Sequence, residues 1–181
     1  MENMSSPPEA TPEQPPKTHL SFGLITGMVQ IAIFTLYYVF NLLTHQVLEW
    51  IPTLIFVALI IFSVASHAKA MQGNARFGDL FVVGFRTTAI STLIYILFLA
   101  IFIALVPAYK EAIMEMSRQR MEAQGSSLTS DQINTALQMV SRFFVISVIG
   151  FGAIGNVVVG AISSLIGAAI SKKKTGSEPM V

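Results

Sequence analysis

Four stretches of the chain, about residues 20–43, 51–66, 81–109 and 143–170, run almost without charge, and they decide what it can fold into. A helix rises 1.5 Å per residue, so a hydrocarbon core of about 30 Å takes roughly 20 residues to cross. Three of the runs reach that length outright. The second is shorter but is flanked by Trp50 and His67, residues that suit a membrane interface. Runs this long and this evenly apolar are not buried strands, and a chain in lipid must satisfy its backbone internally, which a helix does. Charged residues make up 12% of the 181-residue chain, against about 25% in a soluble domain. The fold expected is all-α: a four-span transmembrane helix bundle forming one domain over residues 19–171. The first partner is therefore a lipid bilayer.

The polar segments fall between and around these spans. Residues 1–18 hold five prolines and three glutamates and read as a disordered tail, without the basic start of a signal peptide, so the first span is expected to stay. In "MQGNARFGDLF", Phe77, Leu80 and Phe81 oppose Arg76 and Asp79, as at a helix start that lies along the membrane surface and leads into the third span. Residues 110–142 form the one sizeable hydrophilic insertion and read as a helical hairpin broken at Gly125. Glu115, Arg118 and Glu122 are spaced for helix pairs. Thr129 and Gln132 fit a capping box, after which the second helix is expected to run unbroken into the fourth span.

Lys and Arg counts set the orientation. Lys17, Lys69, Arg76, Lys172, Lys173 and Lys174 share one side, with Arg86 able to snorkel to it, while Lys110, Arg118, Arg120 and Arg142 lie on the other. Both termini are expected in the cytoplasm, including the basic tail 172–181, and the 110–142 hairpin outside.

The last span carries small residues where grease is expected. On a helix, Gly152, Asn156, Gly160, Ser164 and Ala168 recur at every fourth position as one slowly winding stripe. Gly23 and Gly27 make a shorter GxxxG surface on the first span. Lipid supplies no hydrophobic drive between helices, so close van der Waals approach and interhelical hydrogen bonds must hold them together. Packing inside one subunit and a homodimer seam both use such a surface, the first more commonly. Tyr38, Asn41, Ser91, Tyr95 and Asn156 form a candidate polar cavity, with Thr87, Ser91 and Tyr95 on one face of the third span and Tyr37 beside Tyr38 and Asn41 toward the outer end of the first. Taken singly, each is also ordinary interhelical glue or interfacial aromatic.

Much chemistry is excluded. The net charge of +1 offers no basic field for nucleic acid. The chain has no cysteine, and no Asp, Glu, Lys or His lies midway in a run, so thiolate chemistry and a membrane proton relay lack their groups. No metal, cofactor or catalytic constellation is found; "GFGAIG" lies inside a span rather than after a strand. His45 with Glu49 reads as a solvated pair. Asp79 and Arg86, two turns apart, read as an ion pair at the cytoplasmic interface.

Several of these residues together carry a resemblance. The Phe77-Gly78-Asp79 turn, Gly84 after it, Pro107 at the end of the third span, the charged hairpin and the closing "AISSLIGAAISKKK" resemble the bacterial membrane proteins grouped as domain of unknown function 4199, over about residues 20–174. The resemblance implies a four-span bacterial inner-membrane protein and carries no assigned activity. The function expected is a non-enzymatic interaction or assembly protein, whose hairpin, with Met114, Met116, Met121 and Met139, engages itself, a homo-oligomer or another membrane protein. The rival is an oligomeric small-solute channel or carrier.

Overall fold

The computed structural model describes residues 18–42, 48, 50–72, 74–123 and 129–175, with side chains through Lys172. The proline-rich tail, the His45–Glu49 pair, the break at Gly125 and residues 176–181 lie outside that set. The described residues form six α-helices: α1 (Thr18–Val39), α2 (Trp50–Ala70), α3 (Phe77–Leu105), α4 (Pro107–Ala123), α5 (Ser130–Arg142) and α6 (Phe144–Thr175). Of these, α1, α2, α3 and the Phe144–Lys172 part of α6 are long and apolar enough to cross a membrane. The chain is an all-α, multi-pass membrane protein.

Its interior explains why. Thr26, Ser63, Thr87, Thr88, Ser91 and Ser164 are buried, while Leu93, Ile146 and Phe151 point outward at 70%, 71% and 76% exposure. A water-soluble bundle inverts this pattern, because apolar burial is its driving force. In lipid the outward face costs nothing, and the interior is chosen for close approach and hydrogen bonding. Ser63 and Thr87 join α2 to α3 through their hydroxyls at 2.9 Å. Helix α3 packs against α1, α2 and α6, and α2 also packs against α1 and α6. The pair α2 and α3 therefore forms the short diagonal of the bundle, with α1 and α6 at opposite corners.

Each helix end has a local cause. Asn41 takes the left-handed conformation (φ 53°) just past α1, which Asn tolerates better than most residues. The Tyr37 hydroxyl then donates to the Leu48 carbonyl at 2.9 Å, tying that end of α1 to the approach of α2. Helix α3 begins at Phe77 and continues unbroken through the third span, so "MQGNARFGDLF" supplies a helix start but no separate helix along the surface. The Asp79 carboxylate accepts the Arg76 N–H at 3.2 Å, placing negative charge at the helix N-terminus where the dipole favours it.

At its far end α3 stops four residues short of the expected 109. Pro107 disfavours helical geometry at the residue before it, and Val106 sits at φ −123°, ψ 78°. Pro107 opens α4, so Tyr109 belongs to α4 and turns back onto the bundle. Thr129 accepts the Gln132 N–H at 3.4 Å and donates its own N–H to the Gln132 side chain at 2.8 Å, the reciprocal box that starts α5. The expected unbroken run from α5 into α6 is interrupted at Phe143 (φ −105°, ψ 15°). This single-residue bend leaves Phe143 outside, 5.8 Å under the Arg142 guanidinium, and puts Phe144 inside against Tyr109.

Candidate functional site

The small-residue stripe of α6 divides into two halves with different surroundings. In the half nearer the C-terminus, a Cβ on Gly160 would collide with the Thr88 side chain of α3. Ser164 and Ala168 are fully buried beside it, and Ser164 faces Gly84 of α3, where an added Cβ would lie 2.6 Å from the Ser164 Oγ and 2.7 Å from Val64 of α2. Glycines thus let α2, α3 and α6 meet at contact distance. The α1 glycines do the same on another face of α3: added Cβ atoms would lie 2.7 Å from Ile90 at Gly23 and 3.0 Å from Ile94 at Gly27. The two glycine surfaces of α1 and α6 each dock on α3 rather than on one another.

The other half of the stripe opens. Cβ atoms on Gly152 and Gly155 would meet nothing within 4 Å. Both line a cavity of about 470 Å³, together with Gln30 and Tyr37 of α1, Thr53 and Phe56 of α2, Tyr95 of α3, Tyr109 of α4, and Asn156 and Val159 of α6. Every wall residue is uncharged. Phe151 also lines the cavity and is 76% exposed, and Gly155 is exposed as well. At 1.5 Å per residue these two lie about 10 to 17 Å along α6 from Phe144. Leu42, just past α1, and Pro52, at the start of α2, also line the space, so it runs from within the span toward that end of the bundle.

Aromatic rings wall off the end of this space. Phe34 makes edge contacts with Tyr95, Phe98, Phe102 and Tyr109, the closest to Phe102 at 5.1 Å between centroids. Tyr38 packs against Phe102 and Tyr109, and Lys110 lies 5.9 Å over the Phe144 ring. Such edge-to-face pairs add about 0.5–1.5 kcal/mol each beyond their buried area. Burial among these rings pushes the Tyr109 phenol above its ordinary pKa.

Of the five residues expected in a polar cavity, Tyr95 and Asn156 line this one. Tyr38 stands behind its aromatic wall, Asn41 terminates α1, and Ser91 is buried with its hydroxyl donating to the Thr88 carbonyl at 3.0 Å. Asp79 and Arg86 form no ion pair among the described residues. Seven helical residues separate them by about 10 Å, Asp79 is engaged with the Arg76 N–H, and Arg86 is exposed. Tyr37, grouped with Tyr38 and Asn41 at the end of the first span, lines the cavity as well, whereas Gln30, Thr53 and Tyr109 reach it without having been anticipated. Gln30 carried a readable signal: it is an amide midway along an otherwise apolar span, and its Oε1 is buried without a hydrogen-bond partner among the described residues. The other two depend on where helix ends fall. Tyr109 depends on the turn before Pro107, and Thr53 on how α1 and α2 meet.

This arrangement is a neutral chamber next to a tightly packed seam, its polar groups the amides of Gln30 and Asn156 and the hydroxyls of Tyr37, Thr53, Tyr95 and Tyr109. The model of the family described as "Protein of unknown function (DUF4199)" matches residues 21–173. No curated protein and no solved structure matches the chain. The chain belongs to the DUF4199 family.

Proposed function

We propose that the protein is a non-enzymatic interaction or assembly protein of the bacterial inner membrane, with both termini cytoplasmic, and that its α4–α5 arm docks a partner membrane protein. One observation carries the reading. Helices α4 and α5 pack against each other and α5 buries Ile133 and Leu137, yet Met139 of α5 stays 64% exposed and Phe143, at the bend that ends it, 50%. These two lie one turn apart, the Phe143 N–H donating to the Met139 carbonyl at 3.2 Å, in an arm whose other exposed residues include Glu111, Glu115, Arg118, Glu122 and Asp131. A flexible thioether beside an aromatic ring, rimmed by both signs of charge, suits an adaptable protein contact.

Extraction from native membranes in mild detergent, followed by mass determination of the intact complex, tests this. A different protein at fixed stoichiometry, lost on Met139→Asp, is the expected result. A bare monomer or a pure homo-oligomer refutes it. Orientation is read separately, because the natural chain lacks cysteine: an impermeant thiol reagent on whole cells should label Gln119→Cys and spare Asn74→Cys, and the reverse pattern inverts the topology. The cavity favours a second reading, a small-solute channel or carrier built from several copies. Solute flux in reconstituted vesicles, abolished by Asn156→Leu and Tyr95→Phe, would replace the first reading with this one.

A further inference from the structure

We infer that this cavity is a binding site for a neutral, ring-sized molecule that carries an N–H or O–H donor and enters from the lipid. The inference is independent of the arm's role as a docking surface. At about 470 Å³ the space falls within the range of small-molecule pockets. Its walls bear no charge, and an ionic ligand there would forfeit its hydration without a counter-charge. Phe34, Phe56 and Tyr95 offer ring surfaces, which favour a flat apolar body through offset and edge contacts.

The polar groups narrow the class further. Gln30 and Asn156 come from the opposite corner helices α1 and α6 and line the same space. The Gln30 Oε1 is buried and unpartnered among the described residues. A buried acceptor without a donor is costly, and the last torsion of a glutamine is soft, so a ligand N–H or O–H can draw the amide round and satisfy it. The route of entry follows from two exposed lining residues. Phe151 and Gly155 are exposed well inside the span, so a ligand partitioned into the hydrocarbon reaches the cavity without crossing the bundle.

The test uses the full-length chain in phosphatidylcholine nanodiscs, with indole as the probe and indene, the same bicycle without the N–H, as its control. Empty nanodiscs give the lipid partition to be subtracted in equilibrium dialysis. We expect saturable indole binding at one equivalent and indene weaker by about tenfold, the size of one buried hydrogen bond. Gln30→Leu should bring indole down to the indene level. Gly152→Trp, which fills the cavity from a position where a side chain meets open space, should abolish both, whereas Gly150→Trp, also in open space but off the cavity wall, should change neither. No saturable binding above empty discs, equal binding of indole and indene, or undiminished binding by Gly152→Trp with its helical circular dichroism intact would each overturn the inference.

Discussion

Replacing one of two glycines five residues apart on α6, Gly155 or Gly160, by alanine should move stability in opposite directions. Both lie inside the same helix, and both gain the intrinsic preference of alanine over glycine, about 0.8–1 kcal/mol in water and less in lipid. Their surroundings differ. An alanine methyl at Gly155 meets nothing within 4 Å, so only the helix term operates and Gly155→Ala should stabilise by up to about 1 kcal/mol. At Gly160 the methyl collides with the Thr88 Cγ2 and Oγ1, and its distance to the Thr88 Cβ would be 2.8 Å. Rotating Thr88 about χ1 relieves the first two clashes but not the third, because the Cβ does not move with that torsion. The helices must separate by about 1 Å to restore van der Waals contact, which also loosens the Gly84–Ser164–Val64 contact one turn away. Overpacking of a tight interface costs about 1–3 kcal/mol. The net for Gly160→Ala is then about 0–2 kcal/mol destabilising, and the difference between the variants, in which the shared helix term cancels, about 1–3 kcal/mol. Reversible unfolding in mixed micelles, titrated with a denaturing detergent and followed by circular dichroism, measures both on one scale. If Gly160→Ala proved as stable as Gly155→Ala, the claim that glycine at 160 serves the approach of α3 would be wrong.

The remaining expectations use the same unfolding assay unless stated. Phe34→Ala removes the ring that touches four others and should cost about 3–5 kcal/mol, whereas Leu93→Ala, 70% exposed toward lipid, should stay within about 0.5 kcal/mol of the natural chain; equal effects would deny that the aromatic wall is a core. Ser63→Ala breaks the α2–α3 hydroxyl pair and should cost only about 0.6 kcal/mol, the usual yield of a hydrogen bond between membrane helices. A loss above about 2 kcal/mol would make that pair more than ordinary glue. Thr129→Ala removes the α5 cap, worth about 1 kcal/mol, and should speed amide exchange at Gln132 and Ile133 roughly fivefold while leaving α3 and α6 unchanged; uniform acceleration would mean that α5 is not an independent unit.

How far the residues alone lead depends on whether the governing physics is local. The spans are legible because crossing a bilayer is a length-and-charge requirement that any window of about 20 residues reveals, and the capping box at Thr129 and Gln132 is legible because its partners are three residues apart. The every-fourth-residue stripe of α6 is equally plain, yet sequence spacing cannot say that Gly160 meets Thr88 while Gly152 meets open space. That split depends on where the neighbouring helices end. Helix α3 gives way at Val106, ahead of Pro107, and the return of Tyr109 onto Phe34 and Phe102 walls off one end of the bundle. Below, glycines at 84 and 160 pull α2, α3 and α6 into contact with one another. Close approach at one level and bulky rings at the next force the spans apart between them, and the cavity occupies that gap. Gln30 and Asn156 are thus polar residues at the level where the bundle cannot close, which is why their amides remain available to a ligand while Thr87 and Ser63, a few turns below, are already bonded to each other.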